Sequence, residues 1–215
     1  KGFSMNKLTF ALLSSLIMSS VFAKDIQIKQ GTDYNLVSGV TKALPATPGK
    51  VNVTEFYSYA CIHCSILEPT LDQWYAGTKN VQLNRIQVVW ENNFTGYAKI
   101  NATAQMLNLG TKFSQQVFNA TMTQRKNLED PAQLQSFLDA NKTLVDPKKF
   151  MATYNSFAIS TKPQEYAQYT QAYNITGTPT FIIGNKYVTT PAQPAQLIQV
   201  VQALVDKVKT EQKIK

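Results

Sequence analysis

Val51-Asn52-Val53-Thr54-Glu55-Phe56-Tyr57, then Ser58-Tyr59-Ala60, then Cys61-Ile62-His63-Cys64 is the stretch on which the fold turns. Its first seven residues put Val51, Val53, Glu55 and Tyr57 in one phase, the period-2 pattern of a strand. Beyond the cysteines, Leu67, Leu71 and Trp74 recur at i, i+4 and i+7, so a helix is expected to start at the cysteine pair. Pro69 falls inside that run and is expected to kink it. Val81 to Trp90 is β-branched and apolar and reads as a second strand. The result is a βαβ unit with C-x-x-C at its first strand-to-helix turn.

Cys61 and Cys64 are the only cysteines of the 215 residues, and His63 between them is the only histidine. A structural zinc site needs four Cys or His ligands, more than the chain owns. Covalent haem attachment needs His directly after the second cysteine, where Ser65 stands. A stabilising staple gains with loop length, and this loop is minimal. Dithiol–disulfide redox chemistry remains, and it calls for no metal and no cofactor.

The N-terminus points to an oxidising compartment. Met5-Asn6-Lys7 is followed by an apolar run from Leu8 to Met18 and then by Ser19-Ser20-Val21-Phe22-Ala23, the layout of a signal peptide cleaved after Ala23. The run is too short to span a bilayer comfortably. Residues 1–4 would be a short extension in front of it. Loss of Lys1 and Lys7 with the leader lowers the formal charge from +8 to +6. Lys and Arg are scattered, without the basic stripe and interleaved aromatics of a nucleic-acid surface, so no nucleic-acid partner is expected. At 44% apolar residues the chain can bury a sizeable core.

Downstream of residue 93 the period becomes helical. Ile100, Ala104 and Leu107 form one stripe; Phe113, Val117 and Met122 belong to another. Asp130-Pro131 precedes Leu134, Phe137 and Leu138, and Asp146-Pro147 precedes Phe150, Tyr154 and Phe157, each an acidic N-cap with Pro at the first helical position. Pro163 opens one more helix, carrying Tyr166, Tyr169 and Tyr173. Thr180–Ile183, Gly184-Asn185 and Lys186–Thr189 read as a hairpin with a two-residue turn. A last amphipathic helix follows Pro194 with Leu197, Val201, Leu204 and Val208 as its stripe. The expected class is α/β, with βαβ and ββα halves split by helices. The boundaries are 1–23 leader, 24–93 and 174–215 α/β domain, 94–173 helical insertion.

Glu55 through Cys64, together with Gly177-Thr178-Pro179-Thr180-Phe181, resembles the DsbA family of exported thiol-disulfide oxidoreductases, a thioredoxin fold interrupted by a helical domain. The resemblance covers the element order of the whole chain after the leader. It departs at two positions: Ile62 where well-known members have Pro, and Thr178 where they often have Val. In the family both positions tune redox potential and substrate release.

The resemblance implies that Cys61 is the exposed sulfur that reacts with substrate and Cys64 its buried partner. Cys61 at a helix N-terminus gains thiolate character from unpaired N–H groups and the helix dipole. His63 would add to that. Glu55 shares a strand face with Val51 and Val53, and a buried carboxylate with raised pKa would suit proton exchange with Cys64. Arg85, aligned with a basic position of the family, is the expected partner of Glu55. Thr178 and a cis Pro179 would lie against the cysteines, the backbone of Thr178 pairing with extended substrate. The leading function is a monomeric, periplasmic oxidase that introduces disulfides into reduced exported proteins and is recycled by a DsbB-type, quinone-linked membrane partner. The alternatives are a disulfide isomerase or reductase of the same fold, suggested by Thr178, and a chaperone or peptide-binding module.

Overall fold

The central strand β2 (Val51–Tyr57) divides its side chains between cores, and this division organises the molecule. Val51 and Val53 enter one core with Leu67, Leu71, Phe181 and Ile183, closed by Val201, Leu204 and Val208. Phe56 enters another with Ile86, Ile182, Tyr166 and Tyr169. Period-2 alternation thus feeds both faces of a sheet covered on both sides. The structure is a computed structural model that describes residues 26–91 and 93–214. The leader expected over 1–23 lies outside the described residues.

Among the described residues, five strands form one sheet in the order β1-β5-β4-β2-β3. They are β1 (Tyr34–Leu36), β2, β3 (Val81–Gln87), β4 (Thr180–Ile183) and β5 (Tyr187–Thr189). β2 and β3 are parallel, with Glu55 opposite Arg85; β4 runs antiparallel to β2, with Phe181 opposite Glu55. Helix α1 (Ile62–Gly77) makes the crossover between β2 and β3. It runs unbroken through Pro69, whose missing N–H leaves the carbonyl of Ser65 without its helical donor.

Between β3 and β4 lie α2 (Thr95–Met106), α3 (Gly110–Phe118), a π-helical turn (Asn119–Thr123), α4 (Pro131–Ala140), α5 (Pro147–Tyr154), α6 (Phe157–Ser160) and α7 (Lys162–Ala172). Asp130 caps α4 by accepting from Gln133 N, and Asp146 caps α5 by accepting from Lys148 N and Lys149 N. Phe113, Val117, Leu134, Phe137, Leu138 and Phe150 fill the core of this layer. Helix α8 (Pro194–Gln212) closes the chain on the face shared with α1.

Four expectations need correction. The second strand ends at Gln87, not Trp90; Val88 N still reaches Tyr57 O at 2.8 Å, but β2 ends at Tyr57 and no partner strand remains for residues 89 and 90. Strand β1 precedes β2, the first strand that the sequence pattern predicts. It is three residues long with only Tyr34 buried, too short to show a period. The hairpin register pairs Ile183 with Tyr187, so its loop is Gly184-Asn185-Lys186, one residue longer than expected. Phe157 does not continue the α5 stripe: α5 ends at Tyr154, and Phe157, on α6, is 85% exposed.

Gly184 has φ +60° at the start of that loop, and a Cβ there would meet Val208 Cγ1 at 3.0 Å, so both backbone and space favour glycine. Phe150 is wholly buried, its ring 5.5 Å from Phe113 and 6.2 Å from Tyr154 between centroids. Phe150→Ala is expected to cost about 3–5 kcal/mol in urea unfolding, against about 1 kcal/mol for the cap substitution Asp130→Ala. Equal effects would show that the helical layer contributes little packing.

Candidate active site

The turn that leaves β2 sets the site. Ser58 Oγ accepts from Ala60 N at 3.1 Å, and Gln87 on the neighbouring strand donates to Ser58 Oγ and accepts from Tyr59 N at 2.9 Å. From the helical layer, Thr121 donates to Tyr59 O at 2.7 Å. The loop before the cysteines is therefore held from two sides, and Cys61 emerges as the N-cap residue of α1 with extended backbone, φ −111° and ψ 118°.

This position separates the two sulfurs, both free thiols here. Cys61 is half-buried and its pKa is lowered to about 5. The largest cause is the hydrogen bond from the Cys64 thiol, which outweighs burial; the amides of Cys64 and His63 at the helix start add to it. Cys64 is fully buried, and burial, then its bond to Cys61 and the charge of Glu55, hold it as a thiol far above the ordinary range. His63 is exposed and lines a cavity of about 640 Å³ together with Thr178 and Pro179. The Thr178–Pro179 bond is cis, and the Cys61 thiol donates to Thr178 O at 3.4 Å. The cysteines and the proline loop, 117 residues apart, thus meet.

Behind the cysteines lies a charged cluster. Arg85 Nε donates to Glu55 Oε2 at 2.6 Å. Its Nη1 donates to Glu68 Oε1 at 2.8 Å, and its Nη2 to Glu68 Oε2. The guanidinium lies 4.4 Å from the Tyr57 ring centroid. Two buried carboxylates therefore share one cation. Burial raises the pKa of Glu55 to about 7 against the pull of Arg85, with the charge of Glu68 adding to the rise. Glu55 Oε1 is buried and, among the described residues, without a hydrogen-bond partner. Glu55 therefore accepts a proton readily near neutrality.

The sequence pattern alone does not single out Glu68 and Asp72, which also belong to this cluster. Cys64, Glu68 and Asp72 are spaced i, i+4, i+8 on α1, and Glu68 shares the buried face with Leu67 and Leu71; an acid on an apolar helix face was the available signal. Burial, then Glu68, raises Asp72 to about 6.

A strand-to-helix C-x-x-C, one sulfur half-exposed with a lowered pKa and one buried as a thiol, facing a cis-proline loop on a five-stranded sheet, defines a dithiol oxidoreductase of the thioredoxin fold. The family model of the DSBA-like thioredoxin domain matches residues 76–202. The chain is 32% identical to the thiol:disulfide interchange protein DsbA of Burkholderia cepacia, over 87% of its own length and 89% of that protein's. Reduced DsbA1 from Neisseria meningitidis superposes with a TM-score of 0.77 at 29% identity, covering 87% of this chain and 98% of that one. DsbA from Pseudomonas aeruginosa does so with a TM-score of 0.76 at 27% identity, covering 85% and 95%. The chain belongs to the DsbA family, and it is a thiol-disulfide oxidoreductase that introduces disulfide bonds into proteins.

Two pH dependences follow from the geometry. Alkylation of Cys61 in the reduced protein is expected to rise with a midpoint at about pH 5, followed by iodoacetamide labelling; a midpoint near the ordinary thiol value of 9.0 would contradict the assigned thiolate. Glu55 binds its proton more tightly folded than unfolded. The stabilisation this brings is full below about 4.5 and is lost as pH rises through about 7. Glu55→Gln lacks this loss, so the stability of the variant relative to the parent is expected to climb between pH 4.5 and 7 in denaturant titrations. A constant difference would mean that Glu55 does not titrate in that window.

Proposed function

We propose that the enzyme oxidises reduced exported proteins in the periplasm through Cys61 and Cys64, and that a quinone-linked membrane protein of the DsbB type restores its disulfide. The observation that carries this reading is the inequality of the two sulfurs: Cys61 half-exposed with a pKa of about 5, Cys64 fully buried. The leader-like residues 5–23 support the location.

A substrate thiolate attacks Cys61 Sγ; the Cys61–Cys64 bond breaks, and Cys64 leaves as a thiolate that takes up a proton. Glu55, near neutrality half-protonated and electrostatically coupled to Cys64, is the group suited to supply it. A second substrate thiolate then attacks the substrate sulfur of the mixed disulfide, and Cys61 leaves. The stability of its thiolate makes it a good leaving group and the disulfide a strong oxidant. The substrate loses two electrons and the enzyme gains them. His63 and the helix amides favour the Cys61 anion. Thr178 and Pro179 present backbone to an extended substrate beside the sulfur. Arg85 is a positioning residue that holds Glu55 and Glu68.

A second reading, isomerase or reductase, rests on Thr178 before the proline. Equilibration of the purified protein with graded glutathione buffers separates the two. A potential near about −120 mV, as for a known DsbA, is expected; a value near about −270 mV, as for thioredoxin, would make the protein a reductase. Mixed with a disulfide-bonded substrate, reduced Cys64→Ser is expected to accumulate the mixed disulfide, because Cys61 attacks the substrate disulfide and no second enzyme thiol resolves the product, and Cys61→Ser to form none.

A further inference from the structure

The proline-loop cavity is not alone on its side of the molecule. Asn174, Ile175 and Thr176 line it, and the same three residues line a second cavity of about 680 Å³. One short segment, running directly into Gly177-Thr178-Pro179, is thus a wall common to both. Trp90 and Ala167, from the β3 exit and from α7, also line the second cavity, beside the polar Thr170 and Gln171. Trp90 Nε1 donates to Ile175 O at 2.8 Å, which ties Trp90 to the shared segment. Nothing in the dithiol chemistry uses this cavity.

Its lining also has a sign. Glu91, exposed beside Trp90, is the one formally charged side chain among the described residues that line the two cavities. Four residue steps separate Thr178 from Asn174, at most about 14 Å of chain, which an extended polypeptide covers in about four residues. A substrate held by its cysteine at Cys61, and lying along the Thr178 backbone, has side chains within reach of the second cavity three or four residues away.

We propose that the cavity over Trp90 is a distal substrate subsite. It takes an apolar side chain three or four residues from the reacting cysteine, and Glu91 at its rim selects a neighbouring Lys or Arg. The subsite rests on the oxidase reading given above. Its occupant is the substrate polypeptide itself, continuous with the portion at the proline loop. The apolar part of the lining, Val89, Trp90, Ala167 and Ile175, supplies binding in proportion to buried area, and Glu91 supplies discrimination through an exposed, salt-sensitive ion pair.

The test uses the purified protein and dithiol peptides identical except at the third and fourth positions on each side of the cysteine pair. Those positions carry Leu-Lys, Leu-Glu or Ser-Ser. Oxidation is reported as ratios of kcat/KM within each variant, which cancels changes in intrinsic thiol reactivity. The Leu-Lys peptide is expected to outrun Leu-Glu by about two- to fivefold at low salt, and Glu91→Lys to invert that order. The preference should shrink toward one at high ionic strength. Leu-Lys should exceed Ser-Ser by about tenfold, and Ala167→Leu, which narrows the cavity, should reduce that advantage. Ratios near one, or ratios unmoved by Glu91→Lys, would overturn the subsite while the oxidase reading stands. Failure to oxidise any of the three peptides would overturn the oxidase reading and the subsite together.

Discussion

The sharing of one guanidinium by two buried carboxylates is the constraint on which the redox centre depends. Arg85 comes from β3, Glu55 from β2 and Glu68 from α1, so a single side chain ties the βαβ unit together behind the cysteines. Buried ions are costly to desolvate, and removing one partner leaves an uncompensated charge. Here the compensation is incomplete by construction, since one cation faces two acids. The deficit is met by Glu55 binding a proton more readily than an exposed carboxylate, with its Oε1 left free of hydrogen bonds among the described residues. The ion cluster that ties the three elements together is thereby also the group of atoms that holds a titratable carboxyl behind Cys64.

The second division is between the sulfurs. Three residues apart in sequence, they differ because the start of a helix has an outside and an inside. Cys61 occupies the N-cap, where amide donors and the Cys64 thiol stabilise its anion; one turn on, Cys64 faces Tyr57, Tyr59 and the core of the helical layer. That layer is more than a cover. Thr121, in the π-helical turn, fixes Tyr59 O, and Ser114 on α3 approaches Arg85 Nη1 at 3.4 Å, so the insertion holds both the loop before the cysteines and the cluster behind them.

Much of this was legible in local pattern. The period of β2, the start of α1 at the cysteines, the Asp-Pro caps of α4 and α5 and the α8 stripe are short-range signals, set by side-chain spacing on one element. Phe157 shows where such signals mislead: its spacing from Phe150 and Tyr154 is helical, yet Asn155 caps α5 and the chain departs. Trp90 shows another limit, since a strand ends where its partner ends, and β2 leaves the sheet for the active-site turn. Glu68 was hidden because an acid among apolar residues on a helix discloses burial only when something across from it is known to be cationic.

The chemistry is written in residue identity. Two cysteines and one histidine in a C-x-x-C admit a dithiol centre and little else, and residue identity and spacing along the chain are sufficient to say so. How that chemistry is tuned depends on packing between elements distant in the chain. Thr178 lies beside Cys61 across 117 residues, and Arg85 stands between two acids from separate elements. A pKa responds to burial and to charges a few ångströms away, and those distances come into being only when strands and helices distant in sequence pack together.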